Sequence, residues 1–457
     1  MTAVELQMLA DSTGGHLIGQ SVALQGLAID SRAVKGGELF AAIRGARFDG
    51  HEFAAKAMSS GAAALLTERR LEGLTPQLVV SDVTSASGTF ALLKRRSFAG
   101  PVIAITGSAG KTTTKNLVSA AVSVAGSVHA TLGNQNNELG VPLTLAGLNR
   151  QHQFAVIEMG AGQPGDIAYL CDVAEPDIAV CLNASAAHLA HFDSVDAIAR
   201  TKGEIFQGLK GEGLAVINAD QPWLSQWIQQ AGGARHVTFG FSAQADYRAV
   251  HVKNHGLAGT QFQLHVKGVR VPVRLVLPGE QHVSNALAAM AVAIELGVSP
   301  EQAADALLGV QVGAGRGEVR TGCWGGRVID DTYNANPAAV KAAIDVLAME
   351  PGHRVLILGA MLELGSTSEA LHEDVGVYAR SAGIDQLIAV GDGAKGAACG
   401  FGGGAMFFSD QLTLKAEFPV LPPDHVIWVK ASRGAALEQT VGWLAPMGGL
   451  NHADVAK

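Results

Sequence analysis

The stretch VIAITGSAGKTT at residues 102–113 decides the fold of this chain. Its first five residues are apolar or β-branched, which predicts a buried strand, and residues 111–125 predict a helix. The loop between them contains Gly107 and Gly110. Glycines let backbone N–H groups wrap phosphate oxygens, and the start of a helix adds positive potential. The stretch therefore predicts a phosphate-binding loop between a strand and a helix.

The residues of this loop indicate a site for ATP with Mg²⁺. Lys111 is placed to reach the β- and γ-phosphates, and Thr112 to ligate Mg²⁺. The loop is shorter than the usual GxxxxGK[ST] pattern, because Ile105 stands at the place of the first glycine. A chance Gly-Lys-Thr turn is the alternative, but a strand before the loop and a helix after it favour phosphate binding. The predicted ATP-binding residues here are Gly107, Ser108, Ala109, Gly110, Lys111, Thr112 and Thr113.

Further strands bring polar residues to the same edge of the predicted sheet. Phe154–Glu158 is an apolar strand that ends in a carboxylate, so Glu158 is the first additional Mg²⁺ ligand. The next strand, 177–182, runs into a loop with His188, which fits a polar loop residue as well as a metal ligand. Lys202 lies in a helix near this edge and, taken alone, fits a solvated lysine or an i,i+4 charge pair. The residues by themselves therefore favour Glu158, leave His188 open and favour a solvated or charge-paired lysine at Lys202.

Residues 131–142, TLGNQNNELGVP, place three asparagines between two glycines. Such a segment is usually a turn. Three amides between glycines would also suit a loop that folds over phosphates or over a polar substrate. We therefore treat Asn134, Asn136 and Asn137 as candidate substrate-binding residues.

The order of strands and helices predicts an α/β protein with three domains. These are a small N-terminal α/β domain at residues 1–83, a central P-loop-like parallel-sheet domain at 84–312, and a C-terminal Rossmann-like doubly wound domain at 313–457. Helices are predicted at 4–10 and 281–296, hairpins over 247–277, and a Gly-rich break at 312–317. Predicted strands lie at 28–30, 39–43, 62–67 and 78–81, at Phe154–Glu158, 177–182 and Leu214–Asn218, and at Arg327–Asp331, 354–358, Gln386–Val390, 406–408 and 426–429.

The composition excludes several classes of protein. At 457 residues the chain is too long for one hydrophobic core, and 48% hydrophobic residues with 56 Gly do not fit a disordered chain or a disulfide scaffold. The net charge of −8 argues against a nucleic-acid partner. The cluster Lys94-Arg95-Arg96 is predicted to lie on a solvated helix face without a function. Cys171 and Cys181 lie in apolar runs, which predicts buried free thiols.

The sequence also gives expectations about location. No apolar run approaches the ~18 residues that a membrane span requires, and the N-terminus lacks a signal-peptide pattern. We therefore expect a cytoplasmic protein without a membrane span, and we expect it to be a monomer with small-molecule partners.

Taken together, these residues resemble the Mur ligase family, the cytoplasmic amide-bond-forming enzymes of peptidoglycan synthesis. Within the family, residues 133–145, 330–337 and 356–365 are most similar to the member that acts on a UDP-sugar tripeptide and D-alanyl-D-alanine. Ala360 departs from that pattern, where similar sequences carry Asp, and Ala187 stands where most other members carry Asp. The matching segments are Asp30-Ser31-Arg32, the phosphate loop, the asparagine segment, Glu158, Asn183, His188, Lys202, His282, Asn285, 315–318, 330–337, Lys430, Ser432 and Arg433.

The resemblance implies a role for each domain: the first binds the UDP-sugar end, the central one ATP, and the last the incoming amino compound. It implies that Tyr333 lies near the adenine and Asp331 near the ribose. It also implies a second Mg²⁺ near His188 and Lys202, with Lys202 carbamylated by CO₂. The catalytic residues would be Lys111, His188 and Lys202, with further ATP contacts from Asn285, Arg316 and Asn336, uridine contacts from Ser31 and Arg44, and an anion site at Ser432 and Arg433.

The implied reaction is an ATP-dependent ligation. The peptide carboxylate attacks the γ-phosphorus to give an acyl phosphate and ADP, and the amine of the acceptor then displaces phosphate. Another Mur ligase or a folylpolyglutamate synthase is the alternative among ligases. A regulatory NTPase is the alternative from a different class, and it would need no small-molecule amine.

Overall fold

The computed structural model describes residues 4–186, 192–311 and 313–446. Within these ranges the strands form a two-stranded sheet and three larger sheets of five, nine and six strands, and the larger sheets follow one another along the chain. Helices pack against each larger sheet, so the predicted α/β fold class is confirmed. The domain limits at 83 and 312 stay predictions, and Val312 itself lies outside the described residues.

The N-terminal segment forms the five-stranded sheet and the two-stranded sheet. Its elements are β1 (Val4–Glu5), α1 (Leu6–Thr13), β2 (His16–Ile18), β3 (Ala23–Leu24), β4 (Gly26–Ala28), β5 (Glu38–Ala41), α2 (Ala54–Ser59), β6 (Ala64–Thr67), β7 (Gln77–Val79) and α3 (Val83–Arg96). The larger sheet has the order β2-β7-β6-β5-β4, and β1 pairs with β3.

Two predicted elements in this segment are partly wrong. The helix predicted at residues 4–10 begins as strand β1, because Val4 pairs with Leu24 before the helix starts. The strand predicted at 28–30 ends at Ala28, since the Asp30 carboxylate accepts hydrogen bonds from the backbone and guanidinium of Arg32 and closes a turn there.

Helix α3 links the first two sheets. Phe90 is fully buried in the N-terminal core. The solvated face predicted for the basic cluster is wrong for two of its three residues. Lys94 is buried and donates to the carbonyl of Gln25 at 3.3 Å, and Arg95 donates to the carbonyl of Ala174 at 2.9 Å. These cations therefore connect the N-terminal segment to the central one through backbone acceptors.

The central segment forms the nine-stranded sheet. Its elements are β8 (Val102–Thr106), α4 (Lys111–Val122), β9 (Val128–Ala130), α5 (Gly140–Ala146), β10 (Phe154–Glu158), α6 (Asp166–Ala174), β11 (Ile178–Cys181), α7 (Val195–Gln207), β12 (Leu214–Asn218), α8 (Leu224–Ala231), β13 (Arg235–Gly240), β14 (Tyr247–Asn254), β15 (Thr260–Val266), β16 (Val269–Leu275), α9 (Glu280–Glu295) and α10 (Pro300–Leu307). The order is β16-β15-β14-β13-β12-β11-β8-β10-β9, and the predicted hairpins are confirmed as the antiparallel strands β14 to β16.

Strand β8 is buried on both faces, which explains its unbroken apolar sequence. Ile103 and Ile105 pack against a core formed with α4, α9 and α10, whereas Val102 and Ala104 pack against the core of the opposite face. Because β10 and β11 flank β8 as parallel neighbours, their carboxyl ends lie beside the phosphate loop.

The C-terminal segment forms the six-stranded sheet. Its elements are β17 (Glu318–Thr321), β18 (Arg327–Asp331), α11 (Pro337–Ala348), β19 (Arg354–Gly359), α12 (Ser368–Ser381), β20 (Gln386–Val390), α13 (Lys395–Phe401), β21 (Ala405–Phe408), α14 (Gln411–Ala416), β22 (Val426–Lys430) and α15 (Glu438–Leu444). The order is β17-β18-β22-β19-β20-β21, in which only β17 pairs antiparallel.

Two further expectations concern single residues and the membrane. Cys171 and Cys181 are buried free thiols, as predicted. Among the described residues, no helix combines the length and apolar character needed to cross a bilayer.

The burial of Phe90 predicts a large loss of stability for Phe90→Ala. Truncating a buried Phe costs about 3–5 kcal/mol, because packing is lost and a cavity remains. Phe48→Ala is the matched control, since Phe48 is 69% exposed and its loss should cost at most about 0.5 kcal/mol. Urea unfolding of the two variants checks this. Equal midpoints would contradict the assignment of Phe90 to the core.

Candidate nucleotide and metal site

A cavity of about 860 Å³ lies between the phosphate loop and the C-terminal segment. Both halves of the chain line it, so a ligand here would touch the central and the C-terminal sheets together. The predicted site residues that line it are Ser108, Ala109, Gly110, Lys111, Thr112, Thr113, Asn134, Asn136, Asn137, Glu158, Asn285, Arg316, Asp331, Tyr333 and Asn336.

The phosphate loop is held in a conformation that requires glycine. Gly110 has φ +84° and precedes α4, in the left-handed region that favours glycine. A Cβ at Gly110 would meet Oδ1 of Asn285 at 2.5 Å, and one at Gly107 would meet Leu182 at 2.9 Å. Asn285, carried on α9, therefore packs directly against the loop.

Asn183 holds this loop in place through hydrogen bonds. In the sequence it stands out only as one residue of a family motif. Its Oδ1 accepts from the backbone N–H of Ala109 at 2.9 Å, and its Nδ2 donates to the carbonyl of Ala109 at 3.1 Å. Its own carbonyl accepts from the N–H of Ser108 at 3.0 Å. The available signal was its position just beyond β11, beside the loop that follows β8.

Lys111 lies at the start of α4, where its Nζ donates to the carbonyl of Gly107 at 2.8 Å. Burial lowers the pKa of Lys111, Glu158 opposes that effect, and the charge of Arg316 adds to it. Lys111 and Arg316 thus bring positive charge to the cavity from the central and the C-terminal segments.

Glu158 is the centre of a hydrogen-bonded group at the cavity wall. Its side chain is buried, and one carboxylate oxygen accepts from Oγ1 of Thr112 at 2.8 Å, the other from Nδ2 of Asn136 at 2.7 Å. The hydroxyl and the carboxylate that line this cavity are the kind of oxygen ligands that Mg²⁺ prefers. These residues therefore fit the predicted ion.

The described residues contain no group of three or more His, Cys, Asp and Glu that could hold a metal by themselves. Mg²⁺ usually binds through one or two carboxylates together with water and substrate phosphates. His188 lies outside the described residues, so its predicted role is untested.

Lys202 is buried on α7, with 3% of its surface exposed. Burial lowers the pKa of Lys202 to about 7, and the charge of Lys111 adds to the effect, while Cys181 and Glu204 oppose it. Lys202 is not among the described cavity-lining residues. Its predicted contact with a metal stays a prediction.

The C-terminal residues meet around Tyr333. The Arg316 guanidinium lies 3.8 Å from the centre of the Tyr333 ring and the Arg433 guanidinium 5.4 Å from it, which is within cation–π range. The Asp331 carboxylate accepts from Nζ of Lys430 at 2.7 Å and from the indole of Trp428 at 3.1 Å. Burial raises the pKa of Asp331 although Lys430 opposes this. The ring and the carboxylate both face the cavity.

Asn336 and Ser432, two of the predicted site residues, make hydrogen bonds that stabilise the fold. Asn336 caps α11, since its Oδ1 accepts from the N–H of Ala339 at 2.9 Å. Ser432 is buried, and its hydroxyl accepts from the N–H of Leu362 and donates to the carbonyl of Ala335. A single turn of 3₁₀ helix, Arg433–Ala435, follows Ser432.

The predicted uridine residues lie in the N-terminal segment, away from the described lining of the cavity. Ser31 is buried. Arg44 is exposed and lies 3.9 Å from the Asp49 carboxylate. Their roles stay predictions.

Comparison with known proteins agrees with this geometry. The catalytic domain of the Mur ligase family matches residues 23–91, the Mur ligase middle domain residues 105–293, and the Mur ligase glutamate ligase domain residues 315–439. The chain belongs to the Mur ligase family.

The chain matches three relatives over nearly the whole length of each. The chain is 39% identical to the UDP-N-acetylmuramoyl-tripeptide–D-alanyl-D-alanine ligase of Escherichia coli (strain K12), over 96% of this chain and 98% of that one. A crystal structure of MurF from Acinetobacter baumannii superposes with a TM-score of 0.88 at 32% identity, covering 95% and 97% of the chains. MurF ligase from Thermotoga maritima in complex with ADP has a TM-score of 0.81 at 29% identity, covering 92% and 96%.

Gly110→Ala is expected to weaken nucleotide binding, because the added Cβ meets both an unfavourable φ and Oδ1 of Asn285. Strain of this kind costs about 1–3 kcal/mol, so the Kd for ADP with Mg²⁺ should rise roughly tenfold or more. Titration calorimetry measures the change.

The matched control is Gly14→Ala. Gly14 has φ +66°, and a Cβ there would meet nothing within 4 Å. This variant should lose stability without a change in the Kd for ADP. An unchanged Kd in folded Gly110→Ala would remove the loop from the nucleotide site.

Proposed function

We propose that this chain is an ATP-dependent ligase that joins D-alanyl-D-alanine to UDP-N-acetylmuramoyl-tripeptide. The observation that carries the proposal is its similarity, over 96% of its length, to a ligase of that name. The cavity shared by the phosphate loop and the C-terminal segment supports it. A folylpolyglutamate synthase is only 16% identical to this chain, so that likeness concerns the fold alone.

In the first step the carboxylate of the tripeptide attacks the γ-phosphorus of ATP. A new O–P bond forms, and the bond to the β-phosphate oxygen breaks to release ADP. Both reactants are anions, so fixed positive charge near the γ-phosphate lowers the barrier. Lys111 at the start of α4 and Arg316 from the C-terminal segment supply that charge. Tyr333 would receive the adenine and Asp331 the ribose.

Thr112 and Glu158 would hold Mg²⁺, which neutralises charge on the β- and γ-phosphate oxygens. Asn136 orients the Glu158 carboxylate through its hydrogen bond of 2.7 Å. For a second ion we propose His188 and carbamylated Lys202 as ligands, because a carbamate offers the oxygen ligands that hard cations prefer.

In the second step the amine of the dipeptide attacks the acyl carbon, and phosphate leaves. Arg433 is the proposed contact for the acceptor or the acyl phosphate, since it is exposed beside Tyr333. Ser432, whose hydroxyl is already engaged, would act by holding the neighbouring residues in place. Ser31 and Arg44 are the proposed contacts for the uridine end, and Asn134 and Asn137 for the substrate near the phosphates.

We further propose that the enzyme works as a monomer in the cytoplasm. ATP is available there, and both sides of the cavity come from one chain. A regulatory NTPase would instead hydrolyse ATP without either peptide substrate.

Phosphate release tests the function. Phosphate release should require ATP, UDP-N-acetylmuramoyl-tripeptide and D-alanyl-D-alanine. Omitting each of the three in turn checks this requirement. D-Glu, L-Lys and meso-diaminopimelate are then offered in place of the dipeptide. Faster ligation of a single amino acid would contradict the dipeptide specificity but keep the ligase reaction. Phosphate release without any amine would favour the NTPase.

Carbamylation of Lys202 should follow the titration of its amine. Only the neutral amine attacks CO₂, and with the pKa of Lys202 at about 7 its neutral fraction rises as pH increases through 7. We expect ¹³C from labelled bicarbonate to appear on Lys202 more fully at pH 8 than at pH 6. Lys202→Ala should lose the signal and most of the activity.

The exposed Lys210 provides the control for Lys202. Lys210→Ala should keep both the label and the activity. Full activity of Lys202→Ala without any added carboxylate would contradict the proposed modification.

A further inference from the structure

Lys115 lies on α4 one turn after Lys111, but it does not face the cavity. It is 6% exposed, and its Nζ donates to the carbonyl of Thr131 at 2.7 Å. Helix α4 contributes Lys111, Thr112 and Thr113 to the described cavity lining, so Lys115 lies behind the nucleotide site. Burying a lysine is costly unless its charge and its donors are satisfied. The burial of the Lys115 ammonium therefore needs a structural explanation.

The acceptor of Lys115 connects three elements. Thr131 follows β9 directly and is fully occupied: its N–H donates to the carbonyl of Val156 at 3.0 Å, and its Oγ1 accepts from the N–H of Glu158 at 2.9 Å. With the Lys115 contact, each polar group of Thr131 has a partner. Lys115 thus ties α4 to β10 through Thr131, at the point where the asparagine segment begins.

The same segment then returns to Glu158. Asn136 donates through its side chain to the Glu158 carboxylate, and its carbonyl accepts from the N–H of Gly160 at 2.8 Å. The segment is therefore held at its start by Lys115 and Thr131 and further on by Glu158 and Gly160. Movement at the start would displace the amide that orients the carboxylate.

Charge supports the same arrangement. Burial lowers the pKa of Lys115, and the Glu158 charge opposes that shift. The lysine therefore places positive charge close enough to Glu158 for the two charges to interact. The hydrogen bond of the Lys115 Nζ goes to the Thr131 carbonyl, and the Glu158 carboxylate acts on it through its charge.

We infer that Lys115 is a positioning residue that fixes the asparagine segment and the Glu158 carboxylate in the geometry that receives nucleotide-bound Mg²⁺. This inference rests on the metal site in the proposed function. Residues that orient metal ligands typically change metal affinity or activity by about 10- to 100-fold when they are replaced.

The test uses Mn²⁺ as the probe, titrated into the full chain with ADP and followed by electron paramagnetic resonance of the free ion. Lys115→Met keeps the length of the side chain but removes its charge and its donors. We expect Mn²⁺ affinity to fall about 10- to 100-fold, with the KM for D-alanyl-D-alanine unchanged. Lys115→Arg keeps the charge and donors and should recover part of the loss.

Lys94→Met is the matched control. Lys94 is equally buried at 6% exposure and also donates to a backbone carbonyl, that of Gln25, but it has no link to Glu158. It should lose stability without losing Mn²⁺ affinity. If Lys115→Met does not fold, Lys115→Gln takes its place, and a several-fold weaker affinity is expected.

The outcomes separate the two proposals. Wild-type Mn²⁺ affinity in folded Lys115→Met, or in its Gln substitute, overturns the inference, and so does an equal loss in Lys94→Met. Wild-type protein that binds Mn²⁺ with ADP but forms no product from D-alanyl-D-alanine overturns the proposed reaction alone. Absence of Mn²⁺ binding in the wild type overturns the metal site and the inference together.

Discussion

The burial of the Glu158 carboxylate is the constraint on which the site depends. A buried carboxylate is costly unless its oxygens are hydrogen-bonded. Here the partners come from two different segments, Thr112 at the start of α4 and Asn136 in the segment after β9. The parallel register that pairs Glu158 with Ile105 brings these segments together. Any change in that register would leave the charge without its donors, so the sheet and the site stabilise the same arrangement.

The C-terminal part of the site is connected to the central part at two places. In the linker, the carbonyl of Gly315 accepts from the N–H of Tyr333, and the N–H of Gly317 donates to Asp330. At a second place, the turn after β14 packs Leu257 against the C-terminal core, and the N–H of Leu257 donates to the Glu350 carboxylate at 2.6 Å. Two separated contacts restrict rotation more than one linker can. They hold Arg316 and Tyr333 opposite the phosphate loop.

The sequence predicted those features that depend on local pattern. β8, β10, β12, β18 and β20 have the predicted limits, because each is a short apolar run buried in a parallel sheet. Strands β9, β13 and β17 were missed, since their sequences mix polar and apolar residues and their pairing comes from distant neighbours.

Side-chain roles also divide into those that local sequence predicts and those that depend on residues distant in sequence. The place of Glu158 at the end of a strand could be predicted from the sequence, because it depends on local pattern. The roles of Asn183, Lys94 and Lys115 depend on backbone carbonyls and N–H groups contributed by other elements. No local pattern shows such partners, because charge and amphipathicity suggest solvent for a lysine. The hydroxyl of Ser432 is a further example, since its partners, Leu362 and Ala335, lie far from it in sequence.

The substitution at Ala360 can now be understood from its surroundings. The carbonyl of Ala360 accepts from the N–H of Ser432 at 3.1 Å, and the N–H of Met361 donates to Nε2 of His372 at 2.9 Å. The other ring nitrogen of His372 donates to the carbonyl of Ser368, which sets the tautomer, and burial lowers the pKa of His372. The backbone of the segment after β19 is therefore held by His372 and Ser432. These contacts do not involve the side chain of residue 360, so the conformation of this segment does not require a carboxylate there.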